Sequence, residues 1–373
     1  MIKKFLQRIF KTISYNIYII IYGRIVSSIK SNKEDRIKVE IINLEKNLKY
    51  KIYNITNGRL YTDRVHDAAV ILENNIVEEA SFQLRNTYDG ELYNSKITDN
   101  IVFQKGTPRR LKNLDGTVLS LITGGGANHN YWHWLFDVLP RLNLCSKILK
   151  LNEVNYFLFP NLLKKFQTET LDFLNIPNHK RLSSEKFRHV KADRLIVTDH
   201  PVMVSGDATK DTKNIPGWIS KWLKDSFLNK KENNGEKNKK KIYIDRNDNL
   251  KSQQEERSIS NESEVKKYLL NNNFISVKLH DINFIDQVNL FNNAECVVGL
   301  HGGGFANIVF CKPGTKIVEL RSIQAGPPIE NLAKKNNLNY NSITVESKKT
   351  EKYNYPNQQG AIEVPIKDLN KIL

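Results

Sequence analysis

The C-terminal part of the chain alternates short apolar runs with amphipathic stretches, and this alternation constrains the fold more than any other feature. The apolar runs lie at 241–244, 274–279, 296–300, 315–320 and 340–345, and the amphipathic stretches begin at Asn261 and cover 283–293 and 329–336. Strands that alternate with helices form parallel sheets. We therefore predict a doubly wound parallel α/β sheet, whose ligands bind beyond the carboxyl ends of its strands.

The preceding region also contains strand and helix patterns. It has apolar runs at 68–72, 118–122, 157–159 and 194–197, and helical spacing at 129–149 and 162–174. A chain of 373 residues is long enough for two domains. We therefore predict a second α/β domain before the first.

A polar run separates the two regions. Residues 229–241 read NKKENNGEKNKKK, with no apolar residue, which is typical of a solvated linker. No aromatic residue is interleaved there for stacking on bases, so we expect no nucleic-acid partner. The predicted segments are a basic amphipathic segment (1–34), an N-terminal α/β domain (35–228), the linker (229–241), and a C-terminal α/β domain with a tail (242–373).

The chain is strongly basic, with 57 Lys and Arg against 40 Asp and Glu, a net charge of +17. Such an excess favours an anionic partner: nucleic acid, anionic lipid or a phosphorylated substrate. Much of the excess charge comes from Lys in segments rich in Asn and Ile. Because the codons for Lys, Asn and Ile are rich in A and T, a biased genome composition explains the charge equally well. The three cysteines fit no metal-site spacing and no disulfide framework, which favours a reducing compartment, the cytoplasm.

The first thirty residues pair basic with apolar side chains. The apolar run 17–22 is too short to span a bilayer, and no small-residue cleavage motif follows it. The paired residues are Lys3, Lys4, Arg8 and Lys11 with Phe5, Ile9, Phe10 and Ile13. This pattern predicts a helix on the inner face of a membrane. An ordinary helix packed on the protein fits equally well.

A glycine triplet follows the strand at 296–300. His301 precedes Gly302, Gly303 and Gly304, and Asn307 lies in the helix predicted after them. Glycines permit positive φ and close approach of a ligand, and the N-terminus of a helix favours a phosphate. The segment matches neither G-x-G-x-x-G nor G-x-x-x-x-G-K-[ST], which excludes the standard dinucleotide and P-loop sites.

Three charged residues lie near the same predicted edge. Glu319, near the end of the next strand, is a candidate acceptor for ribose hydroxyls, with a surface carboxylate as the alternative. Arg246 ends the first strand of this domain, and Arg257 precedes the next helix. Guanidinium groups match phosphate geometry, so the two arginines are candidates to clamp a diphosphate, although solvated surface cations are common.

An aromatic and histidine-rich segment occupies 124–142. His133 and Asp137 are four residues apart on the predicted helix, where a carboxylate can orient an imidazole as a general base. His129 and His133 have the spacing of a zinc pair, but Glu is absent beside His129, so we expect no metal. Trp132 and Trp134 are candidates to pack a sugar ring, with a core role as the alternative.

Several ordered motifs together resemble glycosyltransferase family 61, whose bacterial members are often labelled capsular polysaccharide biosynthesis proteins. The motifs are N-Y-W-H-W at 130–134, D-V-L-P-R-L at 137–142, the strand ending in Arg246, the R…N-E pattern at Arg257, Asn261 and Glu262, and H-G-G-G-F-A-N at 301–307 with P-G at 313–314 and E-L at 319–320. The resemblance covers about 124–320. The sequence departs from it at Gly303, where the family usually has Ala.

The resemblance implies a GT-B fold, with two Rossmann-like domains whose parallel sheets face a central cleft. It also implies an inverting mechanism, a UDP-sugar donor, a glycan or lipid-linked acceptor, and no cofactor. By motif it carries over Arg246, His301, Gly302, Gly303 and Asn307 as donor-binding residues, to which the residues themselves add Arg257, Gly304 and Glu319.

The resemblance makes 242–373 the nucleotide-sugar-binding domain and 35–228 the acceptor-side domain, and it defines the residues of the acceptor side less sharply. We expect Asn128, Trp134 and Arg141 there, and His133 or Asp137 as the general base. The chain contains no Asp-x-Asp pair, the usual manganese ligands of GT-A enzymes, which favours the metal-free mode. The alternative function is a non-catalytic nucleotide-sugar or glycan-binding protein of a polysaccharide assembly complex.

Overall fold

The chain forms two compact units in a computed structural model that describes residues 2–45, 47–86, 92–205, 207–228, 239–246, 257–348 and 358–373. Unit 1 comprises Met1–Lys164 and Asn175–Thr212, and unit 2 comprises Lys165–Leu174 and Lys213–Leu373. Most of the predicted linker, 229–241, lies outside the described residues.

The limits of these units differ from the predicted boundary at residue 228. The ring of Phe227 packs edge-on against Phe284, with ring centroids 4.8 Å apart, and 5.5 Å from Phe173. Because these aromatic contacts lie in the core of unit 2, the segments around Phe173 and Phe227 belong to that unit.

The helices are short apart from the first. They are α1 (Ile2–Tyr22), α2 (Ile101–Lys105), α3 (Gly126–His129), α4 (Tyr131–His133), α5 (Pro140–Ser146), α6 (Lys165–Phe173), α7 (Ala208–Thr212), α8 (Gly217–Phe227), α9 (Glu262–Asn271), α10 (Phe284–Asn292), α11 (Pro328–Lys335) and α12 (Ile366–Ile372). A π-helical turn covers Trp134–Val138, and 3₁₀ turns cover Ser31–Lys33, Ile97–Asp99, Leu151–Glu153, Asn178–Lys180, Leu279–Asp281 and Gly303–Phe310. Within the described part of the chain, none of the helices is long and apolar enough to cross a membrane.

Within the described residues, unit 1 is built on a mixed sheet of twelve strands. They are β1 (Ser27–Ile29), β2 (Ile37–Glu45), β3 (Leu48–Thr56), β4 (Arg59–Thr62), β5 (Asp67–Leu72), β6 (Asn75–Val77), β7 (Phe82–Asn86), β8 (Leu92–Asn94), β9 (Lys112–Ser120), β10 (Tyr156–Phe159), β11 (Arg181–Ser183) and β12 (His189–Thr198). Strands β11, β10, β9 and β12 are parallel neighbours in that order.

The expectation of a parallel sheet therefore holds for only part of unit 1. Strand β2 pairs antiparallel with β3, and β5 with β6. Asn47 and Glu73, in the turns of these two hairpins, have φ of 69° and 55°. Tight turns join antiparallel neighbours, whereas parallel strands need long crossovers.

The helix predicted over 129–149 is interrupted in the structure. The side chain of Asn130 accepts from the backbone amide of Trp132 at 2.9 Å, which starts a new helix there. A π turn follows, closed by the amide of Leu139 bonded to the carbonyl of Trp134 at 3.1 Å. Pro140 has no amide hydrogen and begins the next helix.

Unit 2 contains the predicted parallel sheet. Its strands are β13 (Lys240–Ile244), β14 (Phe274–Val277), β15 (Ala294–Leu300), β16 (Lys316–Ser322) and β17 (Asn339–Val345). Their spatial order is β14-β13-β15-β16-β17, and every neighbouring pair is parallel. The order reverses between β13 and β15, so the carboxyl ends of these two strands form the topological switch point, where doubly wound sheets bind ligands.

Asn261, where the amphipathic stretch of α9 begins, bonds to the C-terminal segment. Asn261 precedes the helix, but its side chain makes no capping bond to the first turn. Its Oδ1 accepts from the amide of Val364 at 2.9 Å, and its Nδ2 donates to Glu264 at 3.1 Å. Asn261 therefore ties the C-terminal segment to the start of α9.

Candidate active site

His133 and Asp137 face each other across the π turn of unit 1. Nδ1 of His133 lies 2.7 Å from Oδ2 of Asp137. The imidazole is 30% exposed, whereas the carboxylate is only 4% exposed. The predicted juxtaposition is therefore confirmed, although the helix that carries it is π-helical rather than α-helical. Such π segments are frequent at functional sites.

The two groups shift each other's pKa. Burial lowers the pKa of His133, but the neighbouring Asp137 carboxylate outweighs it, and the net pKa is raised. Burial raises the pKa of Asp137, but His133, His200 and Arg141 outweigh it, and the net pKa is lowered. An ionised Asp137 accepts the Nδ1 proton of His133, which leaves Nε2 with the lone pair that a general base needs.

Gly126, the last residue of the glycine triplet at 124–126, packs against the imidazole of His133. A Cβ on Gly126 would lie 2.8 Å from Cδ2 and 3.1 Å from Nε2 of His133. A larger residue would displace the imidazole, so the glycine makes room for the proposed base. Gly124 has φ of +102°, a conformation that favours glycine.

His200 joins this pair and was missed in the sequence analysis. Its Nε2 lies 3.9 Å from Oδ2 of Asp137. Its Nδ1 lies 3.2 Å from the amide of Val202 and 3.0 Å from that of Met203, so Nδ1 accepts and Nε2 carries the proton. Burial lowers its pKa to about 3, and His200 is neutral at neutral pH. The only sequence signal was its position just after an apolar strand.

Arg141 supports the same turn from inside. Its Nε donates to the carbonyl of Asp137 at 3.2 Å, and its Nη1 donates to the carbonyl of Thr198 at 3.0 Å. Burial lowers its pKa to about 10, which still leaves the group charged at neutral pH. Arg141 thus joins the π turn to the end of β12.

A cavity of about 280 Å³ lies at the carboxyl ends of β9 and β12 in unit 1. Its polar lining includes Ser120, Thr123, Arg141, Thr198, Asp199 and His200. The volume is close to the lower end of small-molecule sites, about 300 Å³, and the position is where parallel strands present ligands. Arg141, predicted on the acceptor side, therefore contributes to a cavity.

Two other residues predicted on the acceptor side, Trp134 and Asn128, are buried and contact other parts of unit 1. Trp134 is buried, with its ring 5.7 Å from that of Phe159. Asn128 is buried, and its Nδ2 donates to the carbonyl of Arg64 at 3.0 Å. Burial leaves the face of Trp134 inaccessible to a sugar ring, so the core alternative holds for this residue.

In unit 2, Arg246 and Arg257 converge on one atom. Nη1 of each guanidinium donates to the carbonyl oxygen of His301 at 3.0 Å. Arg246 follows β13 and His301 follows β15, so both lie at the switch point of the sheet. Two positive charges are therefore held next to the start of the 3₁₀ helix Gly303–Phe310.

The glycines at 302 and 304 are required by close packing. Gly302 has φ of 163°, which is extended backbone that any residue adopts, so positive φ does not account for this glycine. A Cβ on Gly302 would lie 2.8 Å from Nη1 of Arg246. A Cβ on Gly304 would lie 2.9 Å from Leu279. Gly303 is the first residue of the 3₁₀ helix.

Glu319 orients His301 rather than facing outward. One oxygen of this buried carboxylate pairs with Nδ1 of His301, and the other accepts from the hydroxyl of Tyr340 at 2.6 Å. Since this carboxylate is buried and each of its oxygens bonds another side chain, Glu319 supports His301 from within the sheet. Its bond to Nδ1 directs Nε2 of His301 away from the carboxylate.

Asn307 also lies inside unit 2. It is fully buried, and its Nδ2 donates to Oε1 of Gln287 at 2.9 Å. Gln287 in turn donates to the carbonyl of Leu279 at 2.8 Å. Through Gln287, Asn307 therefore fixes the 3₁₀ helix to the segment after β14. A buried side chain in this position would affect the donor by positioning the 3₁₀ helix.

Histidine, cysteine, aspartate and glutamate side chains do not assemble into a metal-type cluster anywhere in the described ranges. His129, the candidate for a zinc pair, ends α3, whereas His133 ends α4. The capping Asn130 separates the two short helices, so the regular one-turn spacing that the zinc pair needs is lost.

Comparison with known families identifies the chain. The family model described as Glycosyltransferase 61 matches residues 131–318, which include the π turn, His200 and the arginine pair. A search of curated proteins finds no match. The matched region covers half of the chain and contains both the His133–Asp137 pair and the Arg246–Arg257 pair. This protein is therefore a glycosyltransferase and belongs to the glycosyltransferase 61 family.

Proposed function

We propose that this protein is an inverting glycosyltransferase that moves a sugar from a UDP donor to a glycan or lipid-linked acceptor. The observation that carries the proposal is the convergence of Arg246 and Arg257 on the carbonyl of His301, at 3.0 Å each. This arrangement concentrates positive charge at the switch point of a parallel sheet, where nucleotide ligands of doubly wound folds bind.

On the donor side, the proposed role of unit 2 is to bind the nucleoside diphosphate. The first amides of the 3₁₀ helix have no partner within the helix and carry partial positive charge, as at other helix N-termini. With the two guanidinium groups they would stabilise the charge that develops on the departing diphosphate. We propose that these groups replace a metal ion, and that the two units correspond to the two domains of the GT-B architecture.

On the acceptor side, the proposed base is Nε2 of His133. It takes the proton of the acceptor hydroxyl while the hydroxyl oxygen forms a bond to the anomeric carbon of the donor. The bond between that carbon and the diphosphate breaks, and the electron pair leaves with UDP from the opposite face, which inverts the configuration. Asp137 holds Nδ1 at 2.7 Å and stabilises the imidazolium that forms.

The cavity of unit 1, whose lining includes two neighbours of Asp137, supports an acceptor site in that unit. Arg141 and His200 line the cavity and also contact or adjoin Asp137. Hydroxyl, carboxylate and guanidinium groups in one small cavity suit the hydroxyls of a sugar. The resemblance noted in the sequence makes a surface polysaccharide of the capsular type the proposed product.

The proposed compartment is the cytoplasm. The three cysteines, Cys145, Cys296 and Cys311, are all free and buried. Burial raises the pKa of Cys145 to about 12, which makes this thiol inert. Unpaired thiols are typical of proteins in a reducing environment, where nucleotide sugars would serve as donors.

Isothermal titration with UDP and a panel of UDP-sugars tests the donor site. We expect Arg246→Ala to weaken UDP binding by about 10–100-fold, because a hydrogen bond to a charged group is lost. Lys334→Ala, which removes an exposed cation paired with Glu330 in the same unit, is the matched control and should leave affinity unchanged. Equal affinity of wild type and Arg246→Ala would contradict the assignment.

The same donor panel separates an enzyme from a binding protein. We expect wild type to release UDP from one donor in the presence of a glycan acceptor, and His133→Ala to retain donor binding while losing release. Tight binding of a donor by wild type without release of UDP, across the donor panel and with the acceptor present, would support the non-catalytic alternative.

A further inference from the structure

The N-terminal helix α1 is fastened to unit 1 along one face. Tyr22 accepts from the amide of Leu111 at 2.9 Å through its hydroxyl, and its ring lies 5.1 Å from that of His189. The hydroxyl of Tyr15 donates to the carbonyl of Gln104. Tyr15, Tyr18 and Tyr22 recur at helical spacing, so a single face of α1 makes these contacts.

The other face of α1 exposes apolar side chains to solvent. We call Leu6, Phe10, Ile13, Ile17 and Ile20 the apolar stripe; they are 57%, 72%, 54%, 49% and 84% exposed. A helix turns about 100° per residue, which places these five residues on one side of α1, opposite the tyrosine face. Large apolar side chains that are contiguous and exposed mark an interaction surface.

The charge of α1 indicates what the stripe contacts. The helix carries Lys3, Lys4, Arg8 and Lys11 and contains no acidic residue. Within the first three turns, the rotation of 100° per residue places Lys3 beside the stripe and Lys4, Arg8 and Lys11 on the opposite, polar face of the helix, as in amphipathic helices that lie in a membrane interface. An anionic lipid surface complements both features, because its headgroups pair with the cations while its acyl chains accept the stripe.

A second copy of the chain is less well matched to the same surface. Each copy would bring four cations of α1 and a net charge of +17 to the contact. Like charges oppose association, whereas phosphate headgroups attract them.

We propose that α1 lies in the headgroup layer of an anionic membrane, with the apolar stripe directed into the lipid and unit 1 attached through the tyrosine face. The helix is parallel to the membrane plane and does not cross it. The inference is independent of the proposed reaction, since the apolar stripe contains none of the residues proposed to bind the donor or the acceptor.

Co-sedimentation with phospholipid vesicles tests this proposal. We expect the full chain to bind vesicles of phosphatidylcholine mixed with phosphatidylglycerol. Its affinity for vesicles of pure phosphatidylcholine should be lower by about tenfold or more. Adding salt should weaken binding, because the electrostatic part is screened.

Two variants separate the apolar from the electrostatic part. Phe10→Glu with Ile17→Glu should abolish binding, and Ile41→Glu, at another exposed apolar position in unit 1, should not. Replacing Lys4, Arg8 and Lys11 by Gln should remove the preference for the anionic vesicles, whereas the same change at exposed Lys38, Lys147 and Lys150 should keep it. Circular dichroism verifies that each variant is folded.

Two outcomes would overturn the proposal. One is binding of the double glutamate variant to anionic vesicles at wild-type strength. The other is a dimer in solution that the same variant dissociates, which would assign the stripe to a second copy. Transfer to a short water-soluble acceptor should be unchanged in Phe10→Glu with Ile17→Glu, so failure here is distinct from failure of the proposed function.

Discussion

Nδ1 of His133 lies 2.7 Å from Oδ2 of Asp137, and a π turn between them keeps this hydrogen bond inside a single turn of chain. Around the carboxylate, Arg141 bonds the adjoining backbone and His200 approaches from the end of β12. Each of these groups acts on the protonation of the pair, which makes pH the sharpest probe of the site.

Asp137→Asn should lower kcat/KM by about 10²–10⁴-fold at neutral pH. The carboxylate raises the pKa of His133, and the base acts only when deprotonated, so kcat/KM of wild type rises with pH through that pKa. Without the carboxylate the inflection should move to lower pH while the plateau falls. Asp225→Asn, at a surface pair with Lys221, is the control for pH–rate profiles. An unmoved inflection would argue that His133 is not the titrating base.

His200→Asn should make stability less sensitive to acid. Burial lowers the pKa of His200 to about 3, against 6.5 for the ordinary group, so the unfolded chain binds the extra proton between these values. Stability therefore falls as pH drops below 6.5, by about 2 kcal/mol between pH 6.5 and 5 for this residue. Urea unfolding of wild type and variant at both pH values measures the difference.

The asparagine can keep the acceptor for the amides of Val202 and Met203, so the variant should fold. Two other histidines remain as internal references. His189, whose pKa burial lowers to about 4, should still contribute acid sensitivity, and His133, with its raised pKa, should act in the opposite direction. If wild type and His200→Asn lose the same stability on acidification, His200 is not buried and neutral as described.

Gly302→Ala should weaken UDP binding by about tenfold without unfolding unit 2. The new methyl group would lie 2.8 Å from Nη1 of Arg246, which is the end of a flexible side chain and can move aside. Moving it removes one charge-assisted hydrogen bond from the proposed anion site. Gly326→Ala, where the methyl would make ordinary contacts with Pro328 at 3.5 Å and Lys213 at 4.0 Å, is the matched control. Isothermal titration with UDP measures the affinity of both variants. Melting temperatures equal to that of wild type verify that both are folded.

Glu319→Gln should destabilise the protein by about 1–3 kcal/mol, because a buried carboxylate that accepts from two donors becomes an amide that can accept at only one oxygen. Either His301 or Tyr340 then faces the amide nitrogen. Glu330→Gln, at a surface pair with Lys334, should change the free energy of unfolding by less than about 0.5 kcal/mol. Chemical denaturation of the two variants gives the comparison, and equal values would remove Glu319 from its supporting role.

Local spacing accounts for what could be predicted of the site. His133 and Asp137 are four residues apart, and any helical turn brings such residues together. The predicted pair therefore forms even though the turn is π-helical and not α-helical as predicted. The same holds for the strand that ends at Leu300 and the glycines after it, since apolar runs and turns are local signals.

Contacts between distant segments escaped prediction. His200 follows β12, far along the chain from Asp137, and only the parallel pairing of β9 with β12 brings them together. Glu319 was predicted near the end of its strand, but β16 continues to Ser322, and the Glu319 side chain faces His301 and Tyr340 rather than solvent, which depends on the neighbouring strands.

The order of apolar runs, glycines and charged residues by itself determined the parallel sheet of unit 2, the edge where Arg246 and His301 meet, and the basic amphipathic character of α1. Only the tertiary structure decided that the N-terminal strands of unit 1 are antiparallel, that the two arginines share one carbonyl, and that the apolar stripe of α1 points to solvent. Periodicity is encoded residue by residue, whereas strand pairing and burial depend on which distant surfaces meet.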